Sequence, residues 1–186
     1  MPKPKKHELR NGERSALIRI SKIHVLIGIF LIAQIAAYDA TKLITPEMVL
    51  KRWVFTGTLL LGAATCWYLA RLNDTKTVIR NLVWFLISID LIFASFSLYT
   101  QRGMASRAVI LFVLPILVAA TMKRLGMILI TAAASAIIYS TTAVAYFVLN
   151  FNEGYKIELY GEIGFYASIL LAFGWITWSL VRNNKH

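Results

Sequence analysis

The sequence predicts an all-α, polytopic membrane bundle of six transmembrane helices, and three observations carry that expectation. Hydrophobic residues make up 58% of the 186-residue chain and charged residues only 16%, with a mean hydropathy of +0.64, far more apolar than an ordinary globular domain. The apolar residues gather into segments long enough to cross a hydrocarbon core of about 30 Å, with short polar or basic breaks between them. Cations stand at the ends of those segments, where membrane topology places them.

Residues 1–22 form a basic cytoplasmic tail or interfacial helix. They carry Lys3, Lys5, Lys6, Arg10, Arg14, Arg19 and Lys22 against two acids, and Pro2 and Pro4 discourage structure at the start. From about Ser15 the pattern turns helical, with Leu17, Ile20 and Ile23 on one face and Arg14, Arg19 and Lys22 on another. Such a stretch lies against anionic headgroups and feeds the first span; a solvated positive tail that only sets orientation is the plainer alternative.

The transmembrane domain covers 23–181. Its first span, 23–38, holds His24 and Gln34 and reads as uncleaved, because its charged lead is long and an apolar partner follows soon. The second, 53–69, is flanked by Lys51, Arg52 and Arg71. The third, 78–98, follows the Asn73-Asp74 turn signal and contains Asp90. The fourth, 106–122, is interrupted by Pro115, and only Met122-Lys123-Arg124 separates it from the fifth, 125–149, so the two form a tight helical hairpin. The sixth, 157–181, follows a loop in which Asn152 and Gly154 act as breakers. Residues 182–186 are a short tail.

The distribution of cations sets the orientation. The tail to Lys22, the second-to-third loop (Arg71, Lys76, Arg80), the Lys123-Arg124 turn and the end (Arg182, Lys185) together hold 14 of the 20 Lys and Arg residues. Lys42, Lys51, Arg52, Arg102, Arg107 and Lys156 fall on the other side. Both termini are therefore expected in the cytoplasm. Tyr38, Trp53, Tyr68, Tyr99, Tyr155, Tyr160 and Trp178 fall near span ends, as an aromatic belt requires. Topology and headgroups also account for the net charge of +11, which leaves no reason to invoke nucleic acid.

Asp90 is the clearest candidate for chemistry within the membrane. An ionised carboxylate there costs a few kcal/mol unless it is paired or faces water, so it should face the bundle interior. Arg107, at the outer start of the fourth span, lies at a depth that reaches it. Glu162, one turn into the sixth span, can join them in an electrostatic centre facing an outer cavity. The alternatives are a structural ion pair or an Arg107 that snorkels to the interface. Thr131, Ser135, Tyr139, Thr142 and Tyr146 recur at three- and four-residue steps and share one face of span five. Glu162, Tyr166, Phe173 and Thr177 do the same on span six, with Ile169 or Leu170 between. Hydroxyls at that spacing either bond across helices and back to the i−4 carbonyl or line a ligand site. Tyr139 and Tyr166 join Asp90, Arg107 and Glu162 as candidate ligand contacts. Ala132, Ala136 and Ala143 permit close helix approach.

Enzymatic and metal readings find no support. His7 and His186 are terminal and His24 stands alone, so no histidine pair for haem and no His/Cys/carboxylate cluster for zinc is present. No Gly-rich phosphate loop follows a strand, and Ser95, Ser97 and Ser140 lack a base. No cofactor is evident. The single Cys66 allows no internal disulfide and reads as a buried, inert thiol.

The run from Tyr99 through Gly103-Met-Ala-Ser-Arg107-Ala, Leu114-Pro115-Ile116 and the basic turn into an Ala-rich span resembles the membrane sensor region of bacterial histidine kinases, with RegB-type redox-responsive kinases the nearest comparison. In that family a short outer loop precedes a span with a Leu-x-Pro core, then a tight Gly-containing turn and an Ala/Leu-rich span. The resemblance covers about a quarter of the chain. It implies a six-helix sensor region in a bacterial inner membrane, a quinone as ligand at the outer loop, and action as a homodimer or with a cytoplasmic signalling partner. The chain departs from the family at Ser106-Arg107-Ala108, where the loop carries Asn-Pro-Phe. No phospho-acceptor region or ATP-binding domain follows Val181, so the expectation is a free-standing relative of the sensor region or a piece cut at the membrane. Function is thus expected to be sensing or binding of a small hydrophobic or membrane-borne ligand by a non-enzyme, worked through the 103–107 loop and a kink at Pro115. A small transporter and a structural assembly partner are the competing readings.

Overall fold

The structure is a computed structural model that describes residues 6–42, 44–101, 107–151 and 157–183. The start of the basic tail, residue 43, the 102–106 part of the outer loop, the 152–156 loop and residues 184–186 lie outside the described residues. Among the described residues, six α-helices and one 3₁₀ segment make up the fold: α1 (Lys6–Ala40), α2 (Pro46–Leu72), α3 (Lys76–Thr100), the 3₁₀ segment (Arg107–Phe112), α4 (Val113–Ala120), α5 (Leu125–Phe151) and α6 (Ile157–Asn183). No strand occurs among them.

Five of these helices, α1, α2, α3, α5 and α6, are long and apolar enough to cross a membrane. The fourth expected span is different. Pro115 occupies the third position of α4 and takes no backbone donor bond, which the first turn of a helix tolerates and an interior does not. The chain before it therefore runs as 3₁₀ rather than α. Instead of a continuous helix over 106–122, residues 107–120 give six residues of 3₁₀ and eight of α.

From Lys6 onward the basic segment runs without a break into the first span, as α1 to Ala40. One other boundary differs from expectation. α2 starts seven residues ahead of the expected 53, since the Thr45 side chain accepts from the Met48 amide, Pro46 fills the first position and Glu47 pairs with Lys51 at 2.6 Å. These are ordinary helix-start signals. α5 begins sharply after Lys123, which takes a left-handed φ of 51° to turn the chain back.

The chain divides into two compact units, 1–89 and 90–186, with α3 contributing its first part to one and its last part to the other. In the first unit α1 and α2 form an antiparallel pair. Arg14 of α1 reaches the end of α2, Lys22 lies over Trp67, and Tyr38 near the end of α1 meets Arg52 near the start of α2. In the second unit α5 and α6 are likewise antiparallel, with Ala132 against Gly174 and Tyr139 against Tyr166. A methyl group on Gly174 would stand 2.5 Å from the Cβ of Ala132, so only glycine permits this approach. Large apolar side chains lie outward on both units, among them Leu26, Phe30, Leu61, Ile110 and Leu149. Together with five span-length apolar helices, this describes a multi-pass membrane bundle, in which outward apolar residues meet lipid.

Candidate functional site

The second unit gathers the residues with unmet chemistry. Four-residue spacing stacks Thr131, Ser135 and Tyr139 on one face of α5, and all three are fully buried. Thr142 and Tyr146 continue the stripe half-buried. The Tyr139 ring sits between two others: Phe112, at the end of the 3₁₀ segment, at 5.8 Å with planes at 78°, and Tyr166 of α6 at 6.0 Å and 71°. Both contacts are edge-to-face, the arrangement that ring quadrupoles favour. Tyr99 and Tyr146 make a third such pair at 5.5 Å.

The hydroxyls on this face are unlike several others in the unit. Ser95, Thr100, Ser140, Thr141 and Ser168 each donate to the carbonyl four residues earlier, at 2.7–3.0 Å, as expected of hydroxyls on apolar helices. The oxygens of Thr131, Ser135 and Tyr139 are buried and hydrogen-bonded to nothing among the described residues. Leaving such a group unsatisfied costs about 1–3 kcal/mol.

Asp90 is 2% exposed, in keeping with a carboxyl directed into the bundle. Arg107 and Glu162 are exposed. Tyr139 and Tyr166 come together.

The stripe on α6 is shifted by one residue from part of the expected pattern. Its buried line runs through Leu159, Ile163, Leu170, Gly174 and Thr177, with Tyr166 and Phe173 half-buried and Ile169 exposed. Phe112 is the contact that sequence reasoning misses; its signal is an aromatic residue in mid-segment, three positions before Pro115. Thr131 and Ser135 are legible in the sequence as a stripe but not as a site.

No three His, Cys, Asp or Glu side chains converge among the described residues in a way that could hold a metal ion. Cys66, in the first unit, is buried and donates weakly to the Leu82 carbonyl at 3.6 Å. Comparison with protein-family models, with curated proteins and with solved structures found no match to the chain.

Proposed function

We propose that the chain is an integral membrane sensor or binding module, without catalytic activity of its own, for a small hydrophobic, membrane-borne ligand that presents a hydrogen-bond acceptor to Tyr139. One observation carries this reading: a fully buried phenol, held by ring edges from two other elements, whose hydroxyl has no partner among the described residues. Phe112 and Tyr166 supply apolar and aromatic surface, and the Tyr139 O–H supplies a single directional donor, the combination that a carbonyl on a flat lipophilic molecule fits. A quinone has that chemistry, which agrees with the resemblance to RegB-type sensor regions. Binding would be transmitted through the 3₁₀ segment, because Phe112 touches Tyr139 and Pro115 fixes the chain just beyond.

The test is native mass spectrometry of protein extracted gently from its own membrane, comparing wild type with Tyr139→Phe and Arg107→Ala. A small molecule retained by wild type and lost from Tyr139→Phe supports the reading. Equal retention of the same lipids by all three proteins overturns it. The buried Asp90 favours a second reading, a small proton-coupled transporter; uptake abolished in Asp90→Asn would favour it.

The proposed topology keeps both termini in the cytoplasm of a bacterial inner membrane, with the 3₁₀ segment and α4 as the fourth crossing. At rises of about 2.0 and 1.5 Å per residue they extend together for about 24 Å, most of the hydrocarbon thickness. Cysteines introduced singly as Asn73→Cys and Arg124→Cys should react with a membrane-impermeant thiol reagent from the same side, Cys66 being buried. Reaction from opposite sides would show that this segment does not cross.

A further inference from the structure

We propose that Thr131, Ser135 and Tyr139 hold a short file of ordered water inside the second unit. Each hydroxyl offers one proton and two lone pairs, and each oxygen is buried without a partner among the described residues. On the same helix Ser140 donates to the Ala136 carbonyl four residues back. Thr131 and Ser135 are offered the equivalent bond and turn away from it. Their spacing decides what fits between them. Four residues of α-helix rise about 6 Å, too far for one hydroxyl to reach the next. Two O–H···O bonds of about 2.8 Å, bent at the shared water, reach only about 4.5 Å, and three reach about 6 Å, so one or two water molecules bridge each gap, according to how far the side chains lean together. Tyr139 fits the same scheme, because helical side chains lean toward the N-terminus and carry its hydroxyl back toward the level of Ser135.

Water is favoured over an extension of the proposed ligand because the stripe needs partners that both donate and accept. A carbonyl-bearing molecule accepts only. The two sites are compatible at Tyr139, whose oxygen accepts from the file while its proton remains available to a ligand. Ligand binding then occurs at a phenol already held in place, not at an unsolvated one.

The experiment is X-ray radiolytic labelling of the wild-type protein in bicelles, in which a ring shielded from bulk solvent is hydroxylated only where ordered water touches it. Tyr139 is 0% exposed, so labelling well above background is the expected result, and a severalfold loss is expected in Ser135→Ala. An unlabelled wild-type Tyr139 overturns the proposal. Thermal unfolding gives a second reading through the sign of the change. If water bridges the hydroxyls, the near-isosteric deletions Thr131→Val and Ser135→Ala each lower Tm by about 3 °C, and the double variant loses less than the sum because both remove the same bridge. A rise in Tm for both single variants would mean that the oxygens have no partner, and would overturn the proposal. Labelling of Tyr139 requires no ligand, so the file can stand where the ligand reading fails.

Discussion

The α1/α2 pair and the α5/α6 pair are both antiparallel and both pack a glycine closely at mid-helix, Gly28 on Leu60 and Gly174 on Ala132, but the first also carries cation contacts at its ends. At one end of α1/α2 the Arg14 guanidinium donates to the Ala70 and Arg71 carbonyls, and Lys22 and Arg71 share the Trp67 ring; at the other, Arg52 lies over Tyr38. In α5/α6 the contacts that bring the helices together are Ala132 with Gly174 and Tyr139 with Tyr166. Unpartnered buried atoms occur in both, but Ser21 Oγ and Trp67 Nε1 in the first unit belong to different helices, whereas Thr131, Ser135 and Tyr139 are in register on one face. Charges at helix ends suit a scaffold that orients itself across a bilayer. A register of hydroxyls within the apolar zone costs stability unless it binds something.

The strongest way to break this contrast is to separate α5 from α6. Gly174→Val places branched carbon where a single methyl already meets the Ala132 Cβ at 2.5 Å. Overpacking of that kind costs about 3 kcal/mol, at the upper end of the usual range, and thermal unfolding in bicelles should show a fall in Tm of several degrees. Gly164→Ala, on the same helix with open space around it, should be neutral or stabilise by up to about 1 kcal/mol through helix propensity. If the two variants behave alike, the close approach does not hold the pair.

How much of this is legible in the sequence follows from which forces act locally. Five span-length helices, their order and the hydroxyl face of α5 come directly from hydropathy and a 3.6-residue period, because each helix in lipid must satisfy its own backbone. Pro115 is visible, but its consequence depends on which turn it occupies: in the first turn of α4 it leaves the preceding six residues in 3₁₀ form, not a kink within one long helix. The Asp90, Arg107 and Glu162 grouping rests on depth alone, which cannot give azimuth. Phe112 stays hidden for the same reason. That Thr131 and Ser135 decline the carbonyl four residues back is a rotamer choice set by tertiary packing, and no spacing rule reveals it.

A smaller effect tests the scaffold itself. Arg14 is half-buried, and its guanidinium meets carbonyls that the end of α2 leaves without helical donors. Arg14→Ala should cost about 1–2 kcal/mol, a charge-assisted bond reduced by partial exposure. Arg14→Lys should recover only part of it, because an ammonium cannot hold the Ala70 and Arg71 carbonyls in a planar fork. Ligand retention in native mass spectra should be unchanged in both variants if the first unit only supports; parallel loss of stability and ligand would erase the contrast between the units.

The smallest effect is the most discriminating, because it has a sign that simple counting would miss. Lys22 Nζ and the Arg71 guanidinium lie 5.6 and 5.3 Å from the centre of the same Trp67 ring. Each contact is worth about 0.5–1 kcal/mol at an exposed site, yet the two cations also repel each other. Removing one loses a ring contact and relieves that repulsion, so Lys22→Met or Arg71→Met alone should cost less than about 0.5 kcal/mol, with the aliphatic stem retained. Removing both loses two ring contacts and relieves the repulsion only once. The double variant should therefore cost more than the sum of the singles, and the excess should shrink as salt screens the pair. Strict additivity at low salt would mean that the two cations do not share the ring in solution, and that this end of α1/α2 is held by Arg14 without them.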